Sequence, residues 1–139
     1  MAVSIPDQFK DLFSFDRCVF VTLVTVLPNG QPHATPVWVD YDGTNIVINT
    51  VRGHQKDKDM QRNPKVTVLA VDPESPFRWI EVRGRVVEQT EVGALEHINR
   101  MSLKYSGNPD YYARVPEKRG VEQRVIYKIE PTKIAMSRR

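Results

Sequence analysis

The feature that most constrains this chain is a dense run of β-branched and apolar residues, Cys18 to Leu27, closed at once by the turn Pro28-Asn29-Gly30-Gln31. Such a run reads as a strand buried on both faces, and Asn-Gly supplies the positive-φ pair of a tight hairpin. The return strand, Pro32 to Tyr41, carries Pro32 and Pro36. Proline cannot donate to a ladder, so this strand belongs at an edge or a bulge. Asp42-Gly43 marks a second hairpin, and Asn45 to Val51 reads as the third strand. A chain that opens this way is committed to antiparallel pairing through short turns.

The rest continues the pattern. Arg52 to Pro64 is polar and charged. Its middle reads as one short helix ending at Asn63-Pro64, because the residue before proline resists the α region. Lys65 to Asp72 is a fourth strand and Pro73 to Pro76 a loop. Phe77 to Thr90 is a long fifth strand with Gly84 at a bulge or barrel corner. Glu91 to Tyr105 reads as the best helix, with Val92, Leu95, Ile98 and Met101 on one face. Ser106 to Gly120 is a long excursion, Val121 to Ile129 a sixth strand, and Pro131 to Met136 a short finish. Ahead of the strands, Ile5 to Phe15 reads as a short helix, with Asp7 as its cap and Phe9, Leu12 and Phe13 on one face. The order predicts a mostly-β (α+β) fold: a six-stranded antiparallel barrel, closed or split, with a few short helices and one domain over residues 1–139.

Composition narrows the function classes. A length of 139 residues suffices for one real core, and 40% hydrophobic with 27% charged residues is ordinary globular usage. Cys18 is the single cysteine, and its apolar neighbours predict a buried structural thiol and a reducing, cytoplasmic setting. No apolar stretch approaches a membrane span, and the N-terminus lacks the pattern of a signal peptide. The net charge of +3 permits anion binding. It does not point to nucleic acid, because the basic residues are spread and balanced by acids. His33, His54 and His97 show no metal-ligand spacing. A serine elbow and a glycine-rich dinucleotide motif are both missing.

Three places could carry chemistry. Thr50-Val51-Arg52-Gly53-His54-Gln55-Lys56-Asp57-Lys58 ends a strand, passes a glycine and begins a helix. Free N–H groups at a helix start, Arg52, Lys56, Lys58 and the Thr50 hydroxyl together suit a phosphate. The competing reading is a solvated connection in which Asp57 and Asp59 neutralise the lysines. Thr35-Pro36-Val37-Trp38 frees backbone groups beside an aromatic, which suits the edge of a planar ring, or is an edge strand with Trp38 in the core. Phe77-Arg78-Trp79 places an aromatic that covers a ring or anchors a dimer contact.

With these residues in view, the chain resembles the pyridoxamine 5′-phosphate oxidase-like split β-barrel superfamily, and within it the deazaflavin-dependent reductases that use coenzyme F420. The likeness rests on Gly30 through Trp38, Asp42-Gly43 with Ile46 to Thr50, Lys56 through Val66, and Val82-Arg83-Gly84-Arg85-Val86. Tyr105-Ser106-Gly107 and Arg124 through Pro131 continue it. It runs in order from about Phe13 to Ile134.

The resemblance implies a homodimer with two cofactor sites at the subunit interface, F420 as cofactor with FMN as the alternative, and hydride transfer to a small enone, quinone or nitro compound. A non-catalytic carrier of flavin, deazaflavin or haem is the reading from another class. The resemblance makes Lys56 the phosphate ligand, with Arg52, Thr50 and Lys58 as helpers. It sets Thr35, Pro36, Val37 and Trp38 near the ring's polar edge, lets Asn49 reach tail or ring, and brings Trp79 from either subunit. The substrate-phosphate residues and longer C-terminal segment of the vitamin B6 oxidases have no visible counterpart, which argues against that activity. No residue is an obvious acid or base, and Tyr105, Tyr111 and Tyr112 are the candidate proton donors.

Overall fold

The computed structural model describes residues 2–138, whose strands form one antiparallel sheet. β1 (Val21–Val26), β2 (Pro32–Val37), β3 (Asp40–Tyr41), β4 (Ile46–Val51), β5 (Lys65–Val71), β6 (Trp79–Thr90) and β7 (Arg124–Met136) lie in the order β2-β1-β5-β6-β7-β4-β3. Helix α1 (Gln55–Arg62) joins β4 to β5, and helix α2 (Ala94–Ser106) joins β6 to β7. The core takes Leu23, Ile48, Val68, Val82 and Tyr127 from the strands, and Phe9, Leu12 and Phe13 from the N-terminal segment. This is the split barrel that the sequence predicts, with seven strands in place of six.

The extra strand has a local cause. The β1–β2 ladder ends at the pair Val21 and Val37. There the Tyr105 hydroxyl, carried on α2, enters between the two segments. It donates to the Val19 carbonyl at 2.7 Å and accepts from the Val39 N–H at 3.1 Å. The phenol stands in for the next rung, so Asp40-Tyr41 turns away and pairs with β4. The same wedge delays β1 to Val21. Cys18 therefore lies before the sheet and is exposed, with its thiol 2.9 Å from the Lys104 carbonyl, so the expected buried thiol is corrected. β1 also buries one face only: Val21, Leu23 and Thr25 are buried while Thr22, Val24 and Val26 are half-buried.

Other elements sharpen the sequence reading. Ile5 to Phe15 shortens to a 3-10 turn over Asp7–Leu12, preceded by Pro6 in place of an Asp7 cap. β2 is an edge strand, as its prolines require. Gly84 sits at a register shift opposite Pro131, and a Cβ there would lie 2.6 Å from the Glu130 carbonyl oxygen and 2.7 Å from Ile129 Cγ2. That irregularity absorbs Pro131, so β7 runs through it to Met136 instead of stopping at Ile129. α2 begins later than expected, after Gly93 at φ 76°. Its buried face is Ala94, His97, Ile98, Met101 and Ser102. Val92 precedes the helix and is 84% exposed, and Leu95 is 47% exposed, so the predicted stripe is rotated. No helix among the described residues is long and apolar enough to cross a membrane.

Candidate cofactor site

Strand alternation builds the first wall of the site. On β4, Ile46 and Ile48 join the core, so Val47 and Asn49 point to the opposite face. There they meet the buried face of α2, the end of β2 and Tyr111 of the excursion, around a cavity of about 230 Å3. Pro36, Val37 and Trp38 form one side of it, His97, Ile98 and Met101 another. Trp38 is fixed by aromatic contacts: its ring stacks on Tyr105 at 5.1 Å with an interplanar angle of 2°, and Tyr111 meets it edge-on at 5.9 Å. Trp38 is thus a cavity wall and not a core residue. The Thr35 Oγ1, two residues before Val37, is buried without a hydrogen-bond partner.

A chain of hydrogen bonds runs behind the cavity. Arg124 Nε donates to Asn49 Oδ1 at 2.9 Å. Asn49 Nδ2 donates to the Ala94 carbonyl at 2.9 Å and faces His97 Nδ1 at 3.0 Å. His97 Nε2 lies 3.0 Å from Asp40 Oδ2, which also accepts from Arg100 Nη2 at 2.7 Å. Burial pushes the Asp40 carboxyl up, but the hydrogen bonds from His97 and the Tyr41 amide and the charge of Arg100 outweigh it, so Asp40 titrates below the usual carboxylate range. The Arg124 guanidinium, 8% exposed, also lies 5.0 Å from the Tyr111 ring centroid and 3.6 Å from Glu122.

The charged connection after β4 separates its basic residues. Asp57 is 2% exposed and accepts from the Gly53 N–H at 2.9 Å, the Tyr127 hydroxyl at 2.6 Å and Arg52 Nη1 at 3.1 Å. Burial raises its carboxyl, yet these bonds hold it below the ordinary range. Its place in the first turn of α1 satisfies the helix start from within. Arg52 is further held by Glu91 at 2.9 Å and Gln89 at 2.7 Å. Asp59 takes Thr25, Gln55 and Arg62. The two carboxylates therefore neutralise arginines and leave the lysines alone.

Lys56 is half-buried and makes no hydrogen bond or ion pair among the described residues. Burial lowers its ammonium pKa, and the charge of Arg124 lowers it further, which places the two cations near each other. Lys58 lies about 200° around the helix from Lys56 and is exposed. Thr50 is 4% exposed and shares the core-side parity of Ile48. Trp79 alternates with core-facing Ile80, so its ring lies on the outer face of the sheet, and it is not among the residues that line the cavity.

The structure thus brings together Pro36, Val37, Trp38 and Asn49 at the cavity, with Lys56 next to its Arg124 wall. It sets Arg52, Thr50, Lys58 and Trp79 apart from it. Sequence reasoning missed His97, Arg124 and Met101 as wall residues. The i, i+3, i+4 series Ala94-His97-Ile98-Met101 was readable as the buried face once Gly93 is taken as the helix start. Of the candidate proton donors, burial pushes the Tyr105 phenol up to about 12 and its hydroxyl is bound to Val19. Tyr112 is buried against Glu122 at 3.1 Å. Tyr111 alone of the three lines the cavity, and its hydroxyl has no partner among the described residues.

Comparison with known proteins adds to this geometry. The profile of the pyridoxamine 5′-phosphate oxidase family matches residues 5–138. A solved structure described as an F420 reductase is 25% identical, covers 94% of this chain and 98% of its own, and superposes with a TM-score of 0.78. A conserved hypothetical protein from Mycobacterium tuberculosis is 24% identical over 99% of this chain and 88% of its own, with a TM-score of 0.72. A putative pyridoxamine 5′-phosphate oxidase from Listeria innocua is 22% identical over 94% of this chain and 95% of its own, with a TM-score of 0.65. No curated protein matches the chain significantly.

Proposed function

The chain belongs to the pyridoxamine 5′-phosphate oxidase family, and from that premise we propose that it is an oxidoreductase that uses reduced coenzyme F420 to reduce a small electron-poor acceptor such as an enone, quinone or nitro compound. The observation that carries this reading is Lys56: a half-buried ammonium within electrostatic range of Arg124, with no carboxylate partner among the described residues. Two neighbouring cations of which one is unpaired are unfavourable in an empty protein and become favourable around an anion. A phosphorylated cofactor arm supplies that anion. Thr35, next in sequence to the Pro36 wall, has a buried Oγ1 without a hydrogen-bond partner among the described residues, a second group left over for a polar ring edge.

In this reading the bound deazaflavin supplies the hydride, and the chain's own residues bind, orient and exclude water. Lys56 and Arg124 hold the anionic arm. Pro36, Val37 and Trp38 flank the ring, and Trp38 is kept rigid by Tyr105 and Tyr111. Tyr111, which lines the cavity and whose hydroxyl has no partner among the described residues, is the proposed source of the proton that completes reduction of the acceptor. The proposed assembly is a homodimer through the outer sheet face, where Val24, Val26, Pro32 and Thr67 line a groove of about 640 Å3 edged by Arg83 and Arg85. Trp79 lies on that outer face and outside the cavity lining, and in this reading it meets a cofactor across the dimer.

Fluorescence titration with F420, followed by turnover of the reduced cofactor against an enone and quinone panel, tests the proposal. Saturable binding with turnover supports it. A purified protein that carries FMN and ignores F420 replaces it with the flavin alternative, and binding of F420 without turnover of any acceptor makes the protein a carrier.

A further inference from the structure

We infer that His97 is a positioning residue whose protonation state decides whether Asn49 holds Arg124 at the cavity wall. The argument rests on donors and acceptors. An arginine nitrogen can only donate, so the Asn49 atom at Arg124 Nε is the carboxamide oxygen, and the amide nitrogen faces His97 Nδ1. His97 Nδ1 must then accept, and the ring proton sits on Nε2, directed at Asp40. The chain from Asp40 to Arg124 has this one consistent pattern.

Adding a proton to His97 breaks it at one place or another. With Nδ1 protonated, two donors face each other between His97 and Asn49. Turning the Asn49 carboxamide over repairs that contact, but it takes the oxygen away from Arg124 and the amide nitrogen away from the Ala94 carbonyl. His97 and Arg124 therefore compete for a single acceptor oxygen. Imidazole is the side chain whose ordinary charge change falls between about pH 5 and 8.

The groups around His97 bear on the outcome. Asp40 of β3 is the anion in contact with it. Arg100 and Lys104 of its own helix and Arg124 of β7 are cations close to it or to Asp40, and Lys56 of α1 lies beyond Arg124. The Tyr111–Ala113 turn adds Tyr111 and Tyr112, and Glu122 is the acid near Arg124. Asp40 is the contact of His97 Nε2, and the Asn49 contact couples Nδ1 to Arg124. Without Asn49, Arg124 keeps Glu122 and the Tyr111 ring but loses the hydrogen bond that fixes its Nε, so the anion subsite weakens in acid.

Nitrogen-15 NMR of the cofactor-free protein reads the relay directly. At neutral pH the His97 ring should show the Nε2–H tautomer. On acidification, the Arg124 Nε–H and Asn49 carboxamide signals should move together with the imidazole. His97→Gln provides one acceptor and one donor but cannot titrate, and its Arg124 signal should stay constant with pH. An Nδ1–H tautomer at neutral pH, an Arg124 signal blind to the imidazole, or an unchanged pH response in His97→Gln each overturns the inference.

The consequence for affinity rests on the deazaflavin reading. F420 binding should weaken roughly five- to tenfold from neutral to mildly acid pH in the native protein and stay flat in His97→Gln, as expected for a lost preorganised contact. Failure to bind F420 at any pH sinks that reading and leaves the relay to be judged by the NMR. A failed NMR result with normal F420 binding sinks the relay alone.

Discussion

Two clusters of basic side chains in this molecule look alike by composition and differ in their counter-charges. Arg17 and Arg78 are wedged between Asp11 and Asp72. Arg78 reaches Asp11 at 2.5 Å and Asp72 at 2.9 Å, and Arg17 reaches them at 2.6 Å and 3.0 Å. The two guanidiniums share the same two carboxylates, and Arg17 also lies 3.7 Å from Glu74. Among the described residues, Lys56 and Arg124 have between them only Glu122, at 3.6 Å from Arg124. The first cluster ties the N-terminal segment to the loop after β5, and its job is finished when the chain is folded. The second is left with charge to spend on something else. Density of basic residues does not separate the two, whereas pairing each cation with its anion does.

That contrast can be broken at its support first. Asp57 locks the start of α1 and so orients Lys56. Asp57→Ala leaves Arg52 and the Tyr127 hydroxyl without their buried acceptor and should cost about 3–5 kcal/mol in urea unfolding. Next, Arg78→Ala removes contacts to two carboxylates, and should lower stability by about 2–3 kcal/mol while leaving F420 affinity unchanged. Lys56→Ala should do the opposite: a loss of about 1.5–3 kcal/mol in cofactor binding, with a melting temperature that hardly moves. If Arg78→Ala weakens binding as much as Lys56→Ala does, the division between closed and open clusters fails.

Acid sharpens the comparison further. The Glu74 amide, Arg17 and Arg78 hold the Asp72 carboxyl well below the usual carboxylate range. A depressed folded pKa contributes stability that is complete above the unfolded value, near about pH 4, and is lost as pH falls through the folded one. Acid unfolding followed by tryptophan fluorescence should therefore show a limb below about pH 4 that is shallower in Asp72→Asn. An identical limb would remove Asp72 from the account. The smallest effect is expected at Lys58, exposed and on the far side of α1 from Lys56: Lys58→Ala should change stability by less than about 0.5 kcal/mol and leave F420 affinity alone.

The sequence by itself determined the succession of strands, the edge position of the proline-bearing β2 and the irregularity at Gly84. These follow from properties that residues carry with them: a missing N–H, a missing Cβ, alternation of apolar side chains. The tertiary structure alone decided which basic residues are paired with carboxylates, because Arg52 finds Glu91 only when β4 and β6 lie on either side of β7. It also decided that Cys18 is outside, through the Tyr105 phenol that ends the β1–β2 ladder from a helix more than eighty residues further along the chain. His97 is the sharpest case. Its spacing on α2 was readable, but the acceptor role of its Nδ1 exists only because Asn49, Asp40 and Arg124 arrive from three different strands. A hydrogen bond between distant segments has no local signature in either one, so its direction becomes legible only when the fold has placed both ends.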